Sequence, residues 1–83
     1  MTTPDWLARH DGELRQAPDR GTWFAVFDGA PHYKLIPAPA TGRFTCAVAQ
    51  TENGKRVDKN QTYATADDAL RGGLEELRDY LGW

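Results

Sequence analysis

Leu70, Leu74, Leu77 and Leu81 recur at helical spacing and put one apolar stripe on a helix over Ala66 to Leu81. Thr65 has the chemistry of an N-cap, and Asp68, three residues on, resembles the acidic partner of a capping box. Asp67 and Asp68 suit the positive end of the helix dipole. Gly82 stands where a left-handed C-terminal cap belongs, with Trp83 placed to fold back on the last turn. Two glycines interrupt this helix. Gly73 borders the stripe and suits a close approach to a sheet, whereas Gly72 is expected to point outward.

Arg43 to Tyr63 alternates as a hairpin around Asn53-Gly54, a dipeptide suited to a tight two-residue turn. Counting back from that turn sets Gln50 opposite Val57, Val48 opposite Lys59, Cys46 opposite Gln61 and Phe44 opposite Tyr63. One face then carries Phe44, Cys46, Val48, Val57 and Tyr63. The other carries Arg43, Thr45, Ala47, Ala49, Arg56, Asp58, Asn60 and Thr62. Lys59 and Gln61 fit the apolar face poorly, so the second strand is either an edge or is cut by a loop near Asp58–Gln61.

A second hairpin is expected over Thr22 to Pro37, with Asp28-Gly29-Ala30-Pro31 as its loop. In that register Phe24, Val26, Tyr33 and Leu35 share the core face. Trp23, Ala25, Phe27, His32, Lys34 and Ile36 share the opposite one. The stretch Pro37 to Gly42 reads as a semi-rigid loop. Residues 4–17 fit either one helix or a short helix from Thr3-Pro4-Asp5 that ends near His10 and is followed by a strand over Gly12–Ala17. The second reading is adopted, with Pro18-Asp19-Arg20-Gly21 turning the chain back.

The fold class is therefore α+β. A meandering antiparallel sheet of four to five strands has one C-terminal helix on one face and a short N-terminal helix. Its expected core is Phe24, Val26, Tyr33, Leu35, Phe44, Cys46, Val48, Tyr63, Leu70, Leu74, Leu77 and Leu81. A length of 83 residues is enough for one small domain, residues 1–83, and leaves few side chains over to wall a catalytic pocket.

Ten basic against twelve acidic residues give a net charge of −2, which excludes a strongly basic tail or a polybasic membrane anchor. No apolar run is long enough to span a membrane. The N-terminus shows no basic start followed by an apolar stretch, and the single cysteine forms no intrachain disulfide. Both suit a cytoplasmic protein.

The catalytic inventory is thin. Cys46 falls on the apolar face and reads as a small buried hydrophobe. His10 and His32 read as helix-end and turn residues, and neither falls beside Cys46. No cofactor or metal is expected, because no His, Cys or acidic residues recur at ligand spacing. Asp67-Asp68 and Glu75-Glu76 read as solvated helix positions, since neighbouring helix residues diverge by about 100°. The protein is thus expected not to be an enzyme.

Two features stand above this background, both on the sheet face away from the helix. Trp23, Phe27 and Ile36 form an apolar patch suited to an unknown protein partner or a homodimer, unless Trp6, Leu7 and Leu14 of the N-terminal segment cover it. Lys34, Arg43 and Arg56 offer the alternative of nucleic-acid binding, ranked lower because phosphate contacts favour more positive charge. The strand–strand–strand–helix order is similar, in topology alone, to small three-stranded-sheet DNA-binding domains. With a starting helix it is similar to double-stranded-RNA-binding domains. The first helical turn, Thr65-Ala66-Asp67-Asp68, departs from the lysine cluster that the second resemblance implies, and topology does not carry function.

Overall fold

The computed structural model describes residues 1–83. In chain order the elements are α1 (Asp5–Ala8), β1 (Gly12–Gln16), β2 (Trp23–Phe27), β3 (Ala30–Ala40), β4 (Arg43–Gln50), β5 (Thr62–Tyr63) and α2 (Ala66–Leu81). The five strands form one antiparallel sheet in sequential order, with α2 packed against it. This is the α+β meander read from the hydrophobic pattern, and the short first helix and the strand that follows it are both present.

α2 is bounded as its sequence implies. The Thr65 hydroxyl accepts from the Asp68 amide at 3.0 Å. At the other end Gly82 adopts φ 75°, and the Gly82 and Trp83 amides both donate to the Arg78 carbonyl. α1 has no side-chain cap. Pro4 holds the cap position, and the Thr3 hydroxyl accepts instead from the Leu14 amide at 3.1 Å, tying the N-terminus to β1.

The turns decide the register. Asp28 and Gly29 have φ of 53° and 76° and form a two-residue turn in which Phe27 pairs with Ala30. The expected four-residue loop is thus too long by two. An extra residue in β3, between the partners of Ala25 and Val26, restores half of that difference. Trp23 now pairs with Leu35, Phe24 with Lys34 and Ala25 with Tyr33. The net slip is one residue, and side chains alternate with period two, so β2 is turned over. Trp23, Ala25 and Phe27 face the helix, while Phe24 and Val26 turn to the opposite side of the sheet, where Phe24 is half-buried and Val26 stays buried at 5% exposed.

Pro37 to Ala40 is strand rather than loop, and Thr41-Gly42 forms a second two-residue turn with φ of 39° and 77°. The prolines are tolerated for a topological reason. The Thr51 amide donates to the His32 carbonyl, which directs the backbone groups of even-numbered β3 residues to β4 and those of odd-numbered residues to the β2 side. β2 pairs with β3 only as far as Leu35, so Pro37 and Pro39 lack donors where no strand lies alongside.

Around Asn53-Gly54 two departures cancel. Gln50 pairs with Lys55 through a longer loop, and only Gly54 of the dipeptide has positive φ, at 72°. The Asn53 side chain instead accepts from the Lys55 amide at 2.9 Å. Ala49 therefore bridges to Arg56 rather than Asp58. Residues 57–61 then bulge, and Phe44 still meets Tyr63. A shift of two residues keeps every side chain on its expected face, so Cys46, Val48, Val57 and Tyr63 lie under α2 as read.

The core joins Trp6, Leu7, Leu14, Ala25, Leu35, Cys46 and Val48 to Ala69, Leu70, Leu74 and Leu77 of α2. Trp23, Phe27, Tyr33, Phe44, Val57, Tyr63 and Leu81 pack around it. Gly73 has the close-approach role expected of it: a Cβ there would stand 2.5 Å from Cys46 Sγ. Gly72 does not point outward. The Tyr63 ring lies directly over it, in space that any side chain would fill.

Candidate functional site

Trp6, Leu7 and Leu14 belong to the core beneath α2, so the N-terminal segment does not cover the second face of the sheet. No other element remains to do so. Strand alternation and pairing assign that open face its residues. One row across the sheet reads Arg15, Phe24, Lys34, Ala49 and Arg56. Val26 extends it beside Phe24, with Glu13 opposite Val26 on the same face; Val26 and Ala49 are buried there, at 5% and 3% exposed. Further along β3 and β4 follow Ile36 with Ala47, Ala38 with Thr45 and Thr62, and Ala40 with Arg43. The centre is apolar and built largely of small side chains, and cations stand at both ends.

The sequence-derived apolar patch is divided by this arrangement. Ile36 lies on the open face, half-buried. Trp23 and Phe27 do not: the slip of β2 puts both against the core on the helix side. Phe27 meets Trp83 edge-on at 5.6 Å and His32 at 5.5 Å. Trp83 in turn stacks on His10, with ring centroids 3.8 Å apart and planes 8° from parallel. Phe24 and Val26, expected beneath the helix from sequence, take the vacated positions on the other face, Phe24 half-buried and Val26 buried. Their signal was present in the Asp28-Gly29 dipeptide, which favours a two-residue turn as strongly as Asn53-Gly54 does.

Lys34, Arg43 and Arg56 share the open face as expected. The pairing of β1 with β2 adds Arg15, which the sequence reading did not include. Arg15 pairs with Glu13 at 3.1 Å, and Arg56 holds Asp58 through two hydrogen bonds of 2.6 and 2.9 Å. Lys34 and Arg43 have no carboxylate partner among the ion pairs of the chain. Arg43 is nevertheless positioned, because its Nε donates to the Thr62 hydroxyl at 3.1 Å. Glu13 and Asp58 offset two of the four cations, and Lys34 and Arg43 leave the face net positive in a chain of net charge −2.

Asp58 fastens the edge of this face. Where the bulge removes a strand carbonyl, its Oδ1 accepts from the Val48 amide at 3.0 Å. Its hydrogen bonds with Arg56, followed by the Val48 amide, hold its carboxyl at about 2, below the ordinary value. The lowered value means that the folded state favours the charged form. The stabilisation is complete above about pH 4, where the unfolded carboxyl also ionises, and is lost as pH falls towards 2. The Arg56 side is solvent-exposed and screened, so the contribution is on the order of 1–2 kcal/mol. Urea midpoints measured at neutral pH and near pH 2.5 should fall less in Asp58→Asn than in the wild type. Equal falls would show that this carboxylate does not couple to folding.

Beneath the sheet a second carboxylate is buried. Glu76, on α2, is 6% exposed; its Oε2 accepts from the Lys59 amide at 2.8 Å and its Oε1 from the Tyr63 hydroxyl at 3.3 Å. It is not the solvated helix position expected from sequence. It fastens the bulged segment to the helix. Burial, followed by the charges of Glu76 and Asp58, pushes the neighbouring Cys46 thiol up to about 12. A thiol held protonated and 3% exposed is a packing group rather than a nucleophile.

His10 and His32 flank Trp83 and Phe27 respectively and do not approach Cys46 as a catalytic pair would. No three His, Cys, Asp or Glu side chains converge as metal ligands do. The depressions on the surface are open rather than enclosed, and one runs between Met1, Pro4 and Trp6 and the α2 residues Arg71, Leu74 and Glu75. No helix is long and apolar enough to cross a membrane. Comparison with protein-family models, with curated proteins and with solved structures finds no match to this chain.

Proposed function

We propose that the protein is a non-catalytic interaction module that binds a protein partner through the sheet face opposite α2. The observation that carries this reading is a five-stranded face with no covering layer, on which half-buried Phe24, Ile36, Ala38 and Ala47 surround buried Val26 and Ala49. An antiparallel sheet commonly leaves one face to solvent, but that face is then polar, whereas an apolar centre such as Phe24 and Ile36 suits an occupant. The contact residues follow the observed register. Ile36 is kept from the sequence reading, and Phe24 takes the place of Trp23 and Phe27. A free, buried Cys46 suits a reducing compartment such as the cytoplasm.

Nucleic-acid binding is the second reading, favoured by Lys34, Arg43 and Arg56 sharing this face. Two of the four cations there are already paired, and Phe24 is the only aromatic side chain available for stacking. Both features argue for a protein first.

The test is site-specific photo-crosslinking in the native cell, with the reactive group placed at Ile36 or, as a control, at exposed Arg71 on α2. Adducts with a protein are expected at Ile36 and not at Arg71. Absence of an Ile36 adduct, or adducts only at Arg71, would remove this face as the interface. Adducts with nucleic acid, lost between about 50 and 200 mM salt, would establish the second reading instead.

A further inference from the structure

We infer that the partner of the open face is an acidic amphipathic helix, laid along β3 and β4 with carboxylates near both of its ends. This rests on the reading of the face as a protein-binding surface and specifies the chemistry of the occupant.

The first argument is charge. Lys34 and Arg43 are the two cations of the face without a carboxylate partner. They stand at opposite ends of a strip formed by apolar Ile36, Ala38 and Ala47 with Thr45, whose hydroxyl donates to the Gln61 carbonyl. Arg43 is already held in place by Thr62, so little side-chain freedom is lost when an anion meets it. A second copy of the chain is a poor occupant, because face-to-face pairing would oppose like charges.

The second argument is shape. The edges of the sheet resist strand addition. Pro37 and Pro39 remove donors from the free edge of β3, β5 has two residues, and β1 is short and carries Glu13 and Arg15. A partner must then approach the face rather than an edge. Small side chains on the two longest strands let a helix backbone come close, as on the covered side Gly73 lets α2 approach Cys46.

The third argument is spacing. Arg43 pairs with Ala40, six residues along β3 from Lys34. At about 3.3 Å per residue the two cations are roughly 20 Å apart. A helix rising about 1.5 Å per residue covers that distance in roughly 13 residues. The matching segment has apolar residues on one face for three to four turns and a carboxylate in each terminal turn.

The test uses a synthetic alanine–leucine helical peptide of about 16 residues with glutamates in both terminal turns, its lysine counterpart, and a DNA duplex. Each is titrated into isotopically labelled full-length protein. With the acidic peptide, amide shifts are expected at Lys34, Ile36, Arg43, Thr45 and Ala47, and not on the exposed side of α2. Lys34→Glu should weaken binding about tenfold, and Arg43→Glu should do the same. Lys34→Arg should retain binding, and circular dichroism establishes that each variant is folded.

Equal binding of the lysine peptide, tighter binding of the duplex, shifts centred on α2, or no shift with any probe would each overturn the inference. A crosslink from Ile36 to a neutral or basic protein segment would overturn it while leaving the interaction module standing. Absence of any crosslink at Ile36 would remove both.

Discussion

Gly73→Val is expected to destabilise the protein by about 3 kcal/mol or more, a large share of the total for a domain of this size. The Cβ would meet Cys46 Sγ at 2.5 Å, Cys46 Cβ at 2.9 Å and Val48 Cγ2 at 3.3 Å. The Cβ contact is fixed by the strand backbone, so rotating the Cys46 side chain moves Sγ but does not relieve it. Either α2 lifts from β4 or the core rearranges. Gly73→Ala should show the same direction with a smaller loss, because alanine recovers about 1 kcal/mol of helix propensity.

Cys46→Ala supplies the control. It removes Sγ but keeps Cβ, so it should cost some stability alone and yet recover part of the loss when combined with Gly73→Ala. That non-additivity is the signature of direct contact. Thermal unfolding reads the effect as a shift of roughly 4–8 °C per kcal/mol. Additive losses in the double variant would mean that the helix does not approach the sheet at Cys46.

Glu76→Ala is expected to cost about 2–3 kcal/mol, because it leaves the Lys59 amide and the Tyr63 hydroxyl without their acceptor in a partly buried position. Glu76→Gln keeps a carbonyl oxygen for one of those donors and should cost about half as much. The local readout is hydrogen exchange at the Lys59 amide. It should accelerate in Glu76→Ala by more than global destabilisation accounts for, since the bulged segment loses its tie to α2. A surface glutamate at this position would give a change within about 0.5 kcal/mol and unaltered exchange at Lys59.

Both predictions concern features that the chain pattern reveals only in part. The leucine stripe of α2, its Thr65 and Gly82 caps, and the aromatic and β-branched character of β2 and β4 are local signals. Each depends on neighbours a few residues apart, so each is legible. The inward face of β4 was legible as well, because the loop at Asn53-Gly54 and the bulge at residues 57–61 err by amounts that cancel and preserve parity. The buried role of Glu76 was not legible. Its neighbours Asp79 and Glu75 are exposed, and what distinguishes it is a backbone amide and a phenol delivered from the far side of the bulge. Gly72 is the same case, since its reason is the Tyr63 ring laid across it.

The candidate site divides along the same line. Lys34, Arg43 and Arg56 were assigned correctly to the outer face because their strands kept parity. Trp23 and Phe27 were assigned to it wrongly, because a two-residue turn at Asp28-Gly29 and one extra residue in β3 together shift β2 by a single position. Hydrophobicity could not arbitrate, as both faces of β2 carry large apolar side chains. When the two faces are equally apolar, the register is set by turn geometry and by the bulge, and an error of one residue exchanges the core with the surface.

The chain alone thus determined the class of fold, the order of its elements and the face of α2 that is buried, since these follow from periodicity and from residues with special backbone preferences. Tertiary structure decided which aromatic side chains of β2 look outward and where the N-terminal segment packs. It also decided that one side of the sheet is left open. Those outcomes depend on backbone pairing summed over distant residues and on competition for a single core, and neither quantity is carried by any short stretch of sequence.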